Sequence, residues 1–178
     1  MYRTTIRWRR RGAVLRAISA IDMALWDIKG KIFSVPISSL LGGKKKKIPV
    51  YASSGYYCGL EAKDDLEFIR NDCISIKEKG FKDYKLRVGS SNFKNDLKRV
   101  EVARETLGDE INIFLDANNG WDILTTISFC REVRQLKVGW LEEPILHDNL
   151  SGLKKIVENV DIPIAVGELE STRWGFKI

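Results

Sequence analysis

Five charged residues stand at one kind of position along the sequence, on or just after a predicted strand. They are Lys85, Arg87, Asp116, Glu142 and Glu168. From Lys85 onward, the strands that carry them recur roughly every 30 residues, the length of one βα unit. Because the carboxyl ends of successive parallel strands lie side by side, we expect these side chains to converge on one face.

Three carboxylates that converge without thiols or imidazoles favour a hard divalent cation. Oxygen ligands and incomplete protein coordination suit Mg²⁺, which keeps water or substrate oxygens in its open positions. An ion bound by Asp116, Glu142 and Glu168 would offset their mutual repulsion and act as a Lewis acid on a substrate carboxylate. The alternative is that each acid caps a following helix or pairs with a lysine. The shared register of all three favours a metal site.

Strand and helix signals alternate from residue 48 onward, and these elements must position the charged residues. Short apolar segments predict strands at 48–52, 84–88, 111–115, 138–141 and 163–166. Apolar residues at helical spacing predict helices that begin near residues 62, 92, 122 and 150, with a further helix capped by Ser171. Repeated βα units imply a parallel sheet, either doubly wound or closed into a barrel.

The first 47 residues form a segment of a different kind. Apolar residues at helical spacing predict a helix over 17–29, with Gly30 as its stop. A stretch rich in proline, glycine and lysine follows at 36–47 and is the predicted domain boundary.

An ordered set of motifs resembles the mandelate racemase/muconate lactonizing enzyme family of the enolase superfamily, in particular its acid-sugar dehydratases. Residues 17–43 resemble the segment that joins the family's capping domain to its barrel, and YKLRVG at 84–89 resembles its K-x-K strand. DANNGW at 116–121, WLEEPI at 140–145 and AVGE at 165–168 resemble its three metal-ligand strands. The resemblance implies an α/β fold, a partial (β/α)₈ barrel preceded by the tail of an α+β capping domain.

The resemblance also implies a role for each residue that matches a family position. Asp116, Glu142 and Glu168 would be the Mg²⁺ ligands, and Glu143 would have a supporting role. Asn118 would bind substrate beside the metal. Lys85 would assist the substrate carboxylate.

The chemistry that the family shares is removal of the proton α to a carboxylate, which gives an enediolate held by Mg²⁺. The family's lysine pair reads Lys85-Leu86-Arg87 here, and an arginine keeps its proton and is a poor general base. A lysine with a shifted pKa could act as the general base. We therefore predict Lys85 and Arg87 as the catalytic residues, with Arg87 stabilising negative charge. Racemisation needs such groups on both faces of the α-carbon, so one-sided elimination of water from an acid sugar is preferred. Racemase, epimerase or cycloisomerase activity remains an alternative.

The resemblance covers five of the eight βα units of a complete barrel. Residues 1–47 would be the remnant of the capping domain with its linker helix, and 48–178 an incomplete barrel. In the family's dehydratases the opposite His–Asp pair comes from later strands, and the single histidine, His147, matches no catalytic position. We expect a truncated product or a partial sequence, which could assemble with a complementing fragment or a second copy. A catalytically inactive remnant is the alternative from a different class.

The charge distribution and the cysteine content bear on the possible partners and the cellular compartment of the protein. The net charge of +6 arises from six arginines within residues 1–16. Such a basic patch is typical of nucleic-acid-binding proteins, but no recognisable nucleic-acid-binding motif follows it, so we expect no nucleic-acid partner. No segment has the roughly 20 apolar residues of a membrane span, so we expect no membrane contact. The cysteine content makes the cytoplasm the expected compartment. Three widely spaced cysteines indicate neither a zinc site nor a disulfide framework, and Cys73 and Cys130 are predicted core residues.

Overall fold

The computed structural model describes residues 1–5, 7, 12–44, 46–57 and 62–177. The chain divides into two compact units, one formed by Met1–Pro49 with Leu169–Ile178 and the other by Val50–Glu168. Cys58 and the arginines at positions 9, 10 and 11 lie outside the described residues. The assignment of residues 1–47 to a capping-domain remnant stays a prediction.

In the first unit, the helices are α1 (Tyr2–Thr5), α2 (Ala13–Phe33) and α3 (Ile37–Leu40). The prediction that Gly30 stops α2 is wrong, because the helix continues to Phe33 and ends at Ser34 in the left-handed conformation. Gly30 is buried instead, and a Cβ atom there would lie 3.0 Å from the carbonyl oxygen of Val35. The lack of a side chain at Gly30 therefore allows the backbone at Val35 to pass close to the helix. Among the described helices, none is long and apolar enough to cross a membrane.

The second unit contains a five-stranded parallel sheet in the order β1-β2-β3-β4-β5. The strands are β1 (Ala52–Ser54), β2 (Asp83–Arg87), β3 (Asn112–Asp116), β4 (Val138–Glu142) and β5 (Ile164–Ala165). The helices between them are α4 (Ala62–Glu78), α5 (Phe93–Leu107), α6 (Ile123–Glu132) and α7 (Leu150–Val157). The predicted βα alternation is thus confirmed through β5, although the first strand begins at Ala52 and not at Ile48 as predicted. The helix predicted after Ser171 is wrong, since the described chain there forms only a 3₁₀ helix, Gly175–Lys177.

Apolar side chains on one face of the sheet form the core with the helices. Tyr84, Leu86, Ile113, Leu115 and Leu141 are fully buried there. The predicted helix stripes meet them, with Ile69 and Cys73 on α4, Val100 and Leu107 on α5, and Cys130 on α6. The predicted caps are confirmed, since the side chain of Asn92 accepts from the Asn95 amide and that of Asp122 from the Thr125 amide. Alternation along each strand turns the remaining residues to the opposite face.

The two described thiols provide a test of this core. Burial raises the pKa of Cys73 and of Cys130 to about 12. Because the thiolate is the reactive form, a thiol reagent at pH 8 is expected to modify both at least about 100-fold more slowly than a free cysteine. The measurement uses a Cys58→Ser variant, so that only these two thiols report. Rapid labelling without denaturant would contradict the packing of α4 and α6 described above.

Candidate functional site

A row of charged residues crosses the carboxyl edge of the sheet. Arg87 pairs in register with Asp116 between β2 and β3, and Asp116 pairs with Glu142 between β3 and β4. Lys85 lies two residues before Arg87 and therefore on the same face. The strand register alone brings these four predicted site residues together, on the face opposite the helices.

The side chains in this row form one continuous ion-pair cluster. The Nζ atom of Lys85 lies 3.1 Å from Asp116 Oδ2 and 3.1 Å from both carboxylate oxygens of Glu142. The Nη1 atom of Arg87 lies 2.8 Å from Asp116 Oδ2, an ion pair without the alignment of a hydrogen bond. The Asp116 side chain is only 3% exposed, so these cations are its principal source of charge compensation.

The surroundings of Lys85 favour its charged form. Burial, the largest single influence, lowers the pKa of Lys85, but hydrogen bonds to and charges on Asp116 and Glu142 together raise it above its ordinary value. Lys85 is therefore an ammonium that bridges two carboxylates in this structure. It can give up its proton readily only when their negative charge is neutralised by something else.

Asn118 reaches the cluster through its backbone. Its amide donates to Asp116 Oδ1 at 3.0 Å, so the two oxygens of Asp116 have different partners. Asn118 and Asn119 both have positive φ angles, 46° and 62°, at the turn after β3. The Asn118 side chain is exposed, as a residue that meets a ligand must be, but its predicted role in substrate binding stays a prediction.

Glu168, the third predicted ligand, is not part of the ion-pair cluster. Strand β5 ends at Ala165, and Glu168 lies in the following turn with its side chain exposed. Within the described ranges, no three His, Cys, Asp or Glu side chains are close enough together to hold a metal ion. Asp116 and Glu142 are adjacent hard oxygen donors and fit Mg²⁺ by their chemistry. The structure thus assembles two of the three predicted ligands.

Two tyrosines that sequence reasoning missed flank the cationic pair. The ring of Tyr51 lies 5.6 Å from Lys85 Nζ, and the ring of Tyr56 lies 5.4 Å from Arg87 Cζ. Both distances are in the cation–π range. Tyr51 and Tyr56 lie on either side of the short strand β1, whose sequence has no charged group to draw attention. The pairing of β1 with β2 brings both tyrosines close to Lys85 and Arg87.

Aromatic side chains line the same face of the sheet one step before the carboxylates. Phe114 and Trp140 stack with their ring centroids 3.4 Å apart, and Tyr51 meets both rings edge-on. Phe114 precedes Asp116 by two residues, and Trp140 precedes Glu142 by two. The period of two along a strand could have predicted this apolar floor beneath the charged row.

A buried acid fixes the loop that follows β2. Asp96 on α5 accepts hydrogen bonds from the amides of Gly89 and Ser90, at 3.2 and 2.9 Å, and from the hydroxyl of Tyr57. Burial raises the pKa of Asp96 although these hydrogen bonds lower it. Burial and the charge of Asp96 raise the pKa of Tyr57. The loops after β1 and β2 are therefore tied to α5 by the same carboxylate.

His147 keeps its predicted place in the loop after β4. Its backbone amide donates to the Asn119 side chain at 3.1 Å, and its Nε2 atom lies 3.7 Å from Asp148 Oδ1. Neither contact reaches the ion-pair cluster. The prediction that His147 is an ordinary loop residue therefore stays a prediction.

Two family profiles match the sequence. Residues 69–178 match a profile described as enolase C-terminal domain-like. Residues 1–42 match the N-terminal domain of mandelate racemase and muconate lactonizing enzyme. The second match lies within residues 1–47, the segment predicted as a capping-domain remnant.

Curated relatives align with nearly the whole chain. The sequence is 38% identical to arabinonate dehydratase of Saccharolobus solfataricus over 99% of this chain and 46% of the relative. It is 35% identical to L-talarate/galactarate dehydratase of Salmonella typhimurium over 90% of this chain and 39% of the relative. Other relatives are cycloisomerases and racemases. The chain spans less than half the length of these curated relatives.

Solved structures share the fold. The 3,6-anhydro-D-galactonate cycloisomerase from Zobellia galactanivorans aligns with a TM-score of 0.89 and 35% identity, over 99% of this chain and 48% of that one. An enolase from Bradyrhizobium complexed with magnesium and mandelic acid aligns with a TM-score of 0.85 and 32% identity, over 99% and 47%. The sheet and helices described above thus match about half of each of these proteins.

Proposed function

The chain belongs to the mandelate racemase/muconate lactonizing enzyme family of the enolase superfamily, and from this premise we propose that its charged row binds Mg²⁺ and removes the proton α to the carboxylate of an acid sugar. Elimination of water is the proposed outcome, which makes the activity that of a hydro-lyase. The observation that carries the proposal is the register row of Arg87, Asp116 and Glu142, with Lys85 in contact with both acids.

The proposed Mg²⁺ ligands are Asp116, Glu142 and Glu168. Several relatives of known structure were crystallised with magnesium, which supports this metal over a softer one. When bound, Mg²⁺ would supply Lewis-acid polarisation of the substrate carboxylate. The chain's own part is to present oxygen donors from neighbouring strand ends. Asp116 is held for this role by the backbone amide of Asn118.

Lys85 and Arg87 have different proposed tasks because they differ in acidity. Arg87 supplies a fixed positive charge beside Asp116, which would stabilise the negative charge that develops on the substrate during proton removal. Lys85 can exchange a proton once the charge of its two carboxylate partners is neutralised. The stacked rings of Phe114 and Trp140 lie on the same face of the sheet as this ammonium. Asn118, exposed at the edge, is the proposed contact for substrate hydroxyl groups.

The proposed reaction balances as a loss of water. The Cα–H bond breaks and the proton goes to Lys85, leaving an enediolate. The β-hydroxyl group then departs as water with the proton that Lys85 took up, and the resulting enol tautomerises to a 2-keto-3-deoxy acid. The dehydratases among the relatives favour this outcome. Racemisation or epimerisation is the second candidate, supported by the racemase relatives but opposed by the arginine at position 87.

The proposal is tested by incubating the chain with Mg²⁺ and a panel of acid sugars. We expect a 2-keto acid detectable with semicarbazide, which carries deuterium at C3 when formed in D₂O, and both signals should be reduced about 10²–10⁴-fold in Lys85→Ala. Lys154→Ala, which removes an exposed lysine on α7, is the matched control and should leave both rates unchanged. Exchange without dehydration would favour the racemase alternative. Mg²⁺ binding with neither reaction would favour the catalytically inactive remnant.

Association with a complementing segment or a second copy stays a proposal. Light scattering on the purified chain, with and without Mg²⁺, measures the mass of the species directly. A mass of one chain, about 20.3 kDa, would contradict self-association.

A further inference from the structure

Glu143 is a fully buried acid in an unusual backbone conformation. Its relative exposure is 0% and its φ angle is 44°, in the left-handed region that residues other than glycine seldom adopt. It directly follows Glu142, the last residue of β4. Such a conformation persists where the surrounding structure holds it in place, and it is concentrated at functional sites.

The contacts of Glu143 join the loops after three neighbouring strands. Its backbone amide donates to the Ala165 carbonyl at 2.9 Å, and its carbonyl accepts from the Asn119 amide at 2.6 Å. Its side-chain Oε1 atom accepts from the amides of Gly167 at 2.8 Å and Glu168 at 3.1 Å. The turn that carries Glu168 is therefore fixed from β4 by a side chain.

The two consecutive acids at the end of β4, Glu142 and Glu143, face different partners. Glu142 meets Lys85 in the charged row, whereas the Glu143 carboxylate meets the backbone of the turn after β5. Strand β4 ends at Glu142, and Glu143 continues the chain in the left-handed conformation, so the two side chains meet different partners. A carboxylate accepts two backbone amides well because it offers several acceptor positions and a full charge.

We infer that Glu143 is a positioning residue that sets the place of Glu168 relative to Glu142, so that the turn after β5 can complete the metal site. The inference rests on the proposed function, because only a site that binds Mg²⁺ makes the place of Glu168 matter. Residues that orient metal ligands affect affinity without touching the ion, typically by 10–100-fold. Glu143 acts in this way through the backbone amides of Gly167 and Glu168.

The test compares Glu143→Ala and Glu143→Gln by Mg²⁺ calorimetry and by amide hydrogen exchange of the metal-free protein. Glutamine keeps an acceptor oxygen, so we expect its Kd for Mg²⁺ to stay within about threefold of wild type. Alanine should weaken binding by about 10–100-fold and speed the exchange of the Gly167 and Glu168 amides. Glu101→Ala, on the exposed side of α5, is the control and should change neither quantity.

Several results would overturn the inference. One is an unaltered Mg²⁺ affinity in a folded Glu143→Ala variant. Another is rapid hydrogen exchange of the Gly167 and Glu168 amides in the wild type. If Glu143→Ala fails to fold, Glu143→Gln decides alone, since a loss above about tenfold would mean that the charge and not the acceptor matters. A wild type that binds no Mg²⁺ would overturn the proposed function and the positioning role with it. Wild-type binding with an indifferent Glu143→Ala variant would remove the positioning role alone.

Discussion

Asp65→Ala is expected to lower the free energy of unfolding by about 3–5 kcal/mol. Asp65 on α4 forms a buried ion pair with Arg99 on α5, whose side chain is 0% exposed. Arg99 also donates to the Gly55 carbonyl and lies 4.3 Å from the ring of Tyr57. Without the aspartate, the guanidinium would remain buried without its ion-pair partner. The cost of that uncompensated charge dominates the expected effect.

The control for this prediction is an ion pair that is exposed to solvent. Arg134 and Asp161 lie 2.8 Å apart, but their side chains are 67% and 72% exposed. Asp161→Ala should therefore change stability by less than about 1 kcal/mol. Urea unfolding of both variants, followed by circular dichroism, gives the comparison. Equal losses in the two variants, or a loss near zero for Asp65→Ala, would contradict the structural role assigned to the Arg99 pair.

Gly89→Ala is expected to destabilise the chain by at least about 3 kcal/mol. Gly89 follows β2 with a φ angle of +101°, and a Cβ atom there would lie 2.1 Å from the carbonyl oxygen of Ala117. The obstacle is backbone of the neighbouring strand end, which cannot rotate away as a side chain can. The same loop donates two amides to Asp96, so relief of the clash would disturb the carboxyl edge that carries the site.

Gly80→Ala separates the clash from the backbone conformation. Gly80 has a comparable φ angle of +79°, but a Cβ atom at this position would have no neighbour within 4 Å. Its replacement should cost only about 1–2 kcal/mol, the usual penalty for a left-handed residue with a side chain. Thermal unfolding of both variants measures the difference. Similar losses at positions 80 and 89 would mean that the close approach between the two strand ends is absent.

The sequence is sufficient to predict the sheet and the centre of the charged row. Hydrophobic spacing predicts each βα unit, and parallel strands leave little freedom in where Lys85, Asp116 and Glu142 can point. The alternation of side chains along β2, β3 and β4 then places them on the face away from the helices. These predictions succeed because they depend on local periodicity and on one topology.

Features that depend on contacts between separate parts of the chain could not be predicted from the sequence. Glu168 lies beyond the end of β5, in a turn whose position is fixed by Glu143 through hydrogen bonds that no pattern reveals. Arg99 occupies a position that resembles the exposed side of a charged helix, yet it is fully buried against Asp65. Gly30 has the usual identity of a helix stop, but its lack of a side chain accommodates the returning chain instead.

The most direct test of the metal site is calorimetric titration of the purified chain with Mg²⁺. We predict one ion per chain in the wild type and at least about 100-fold weaker binding in Asp116→Asn and in Glu142→Gln, each of which removes a charged oxygen donor. Asp161→Asn, a change to an exposed acid at a distance from the charged row, should bind like the wild type. No binding by the wild type, or equal binding by all four proteins, would contradict the assignment of a metal site to this edge of the sheet.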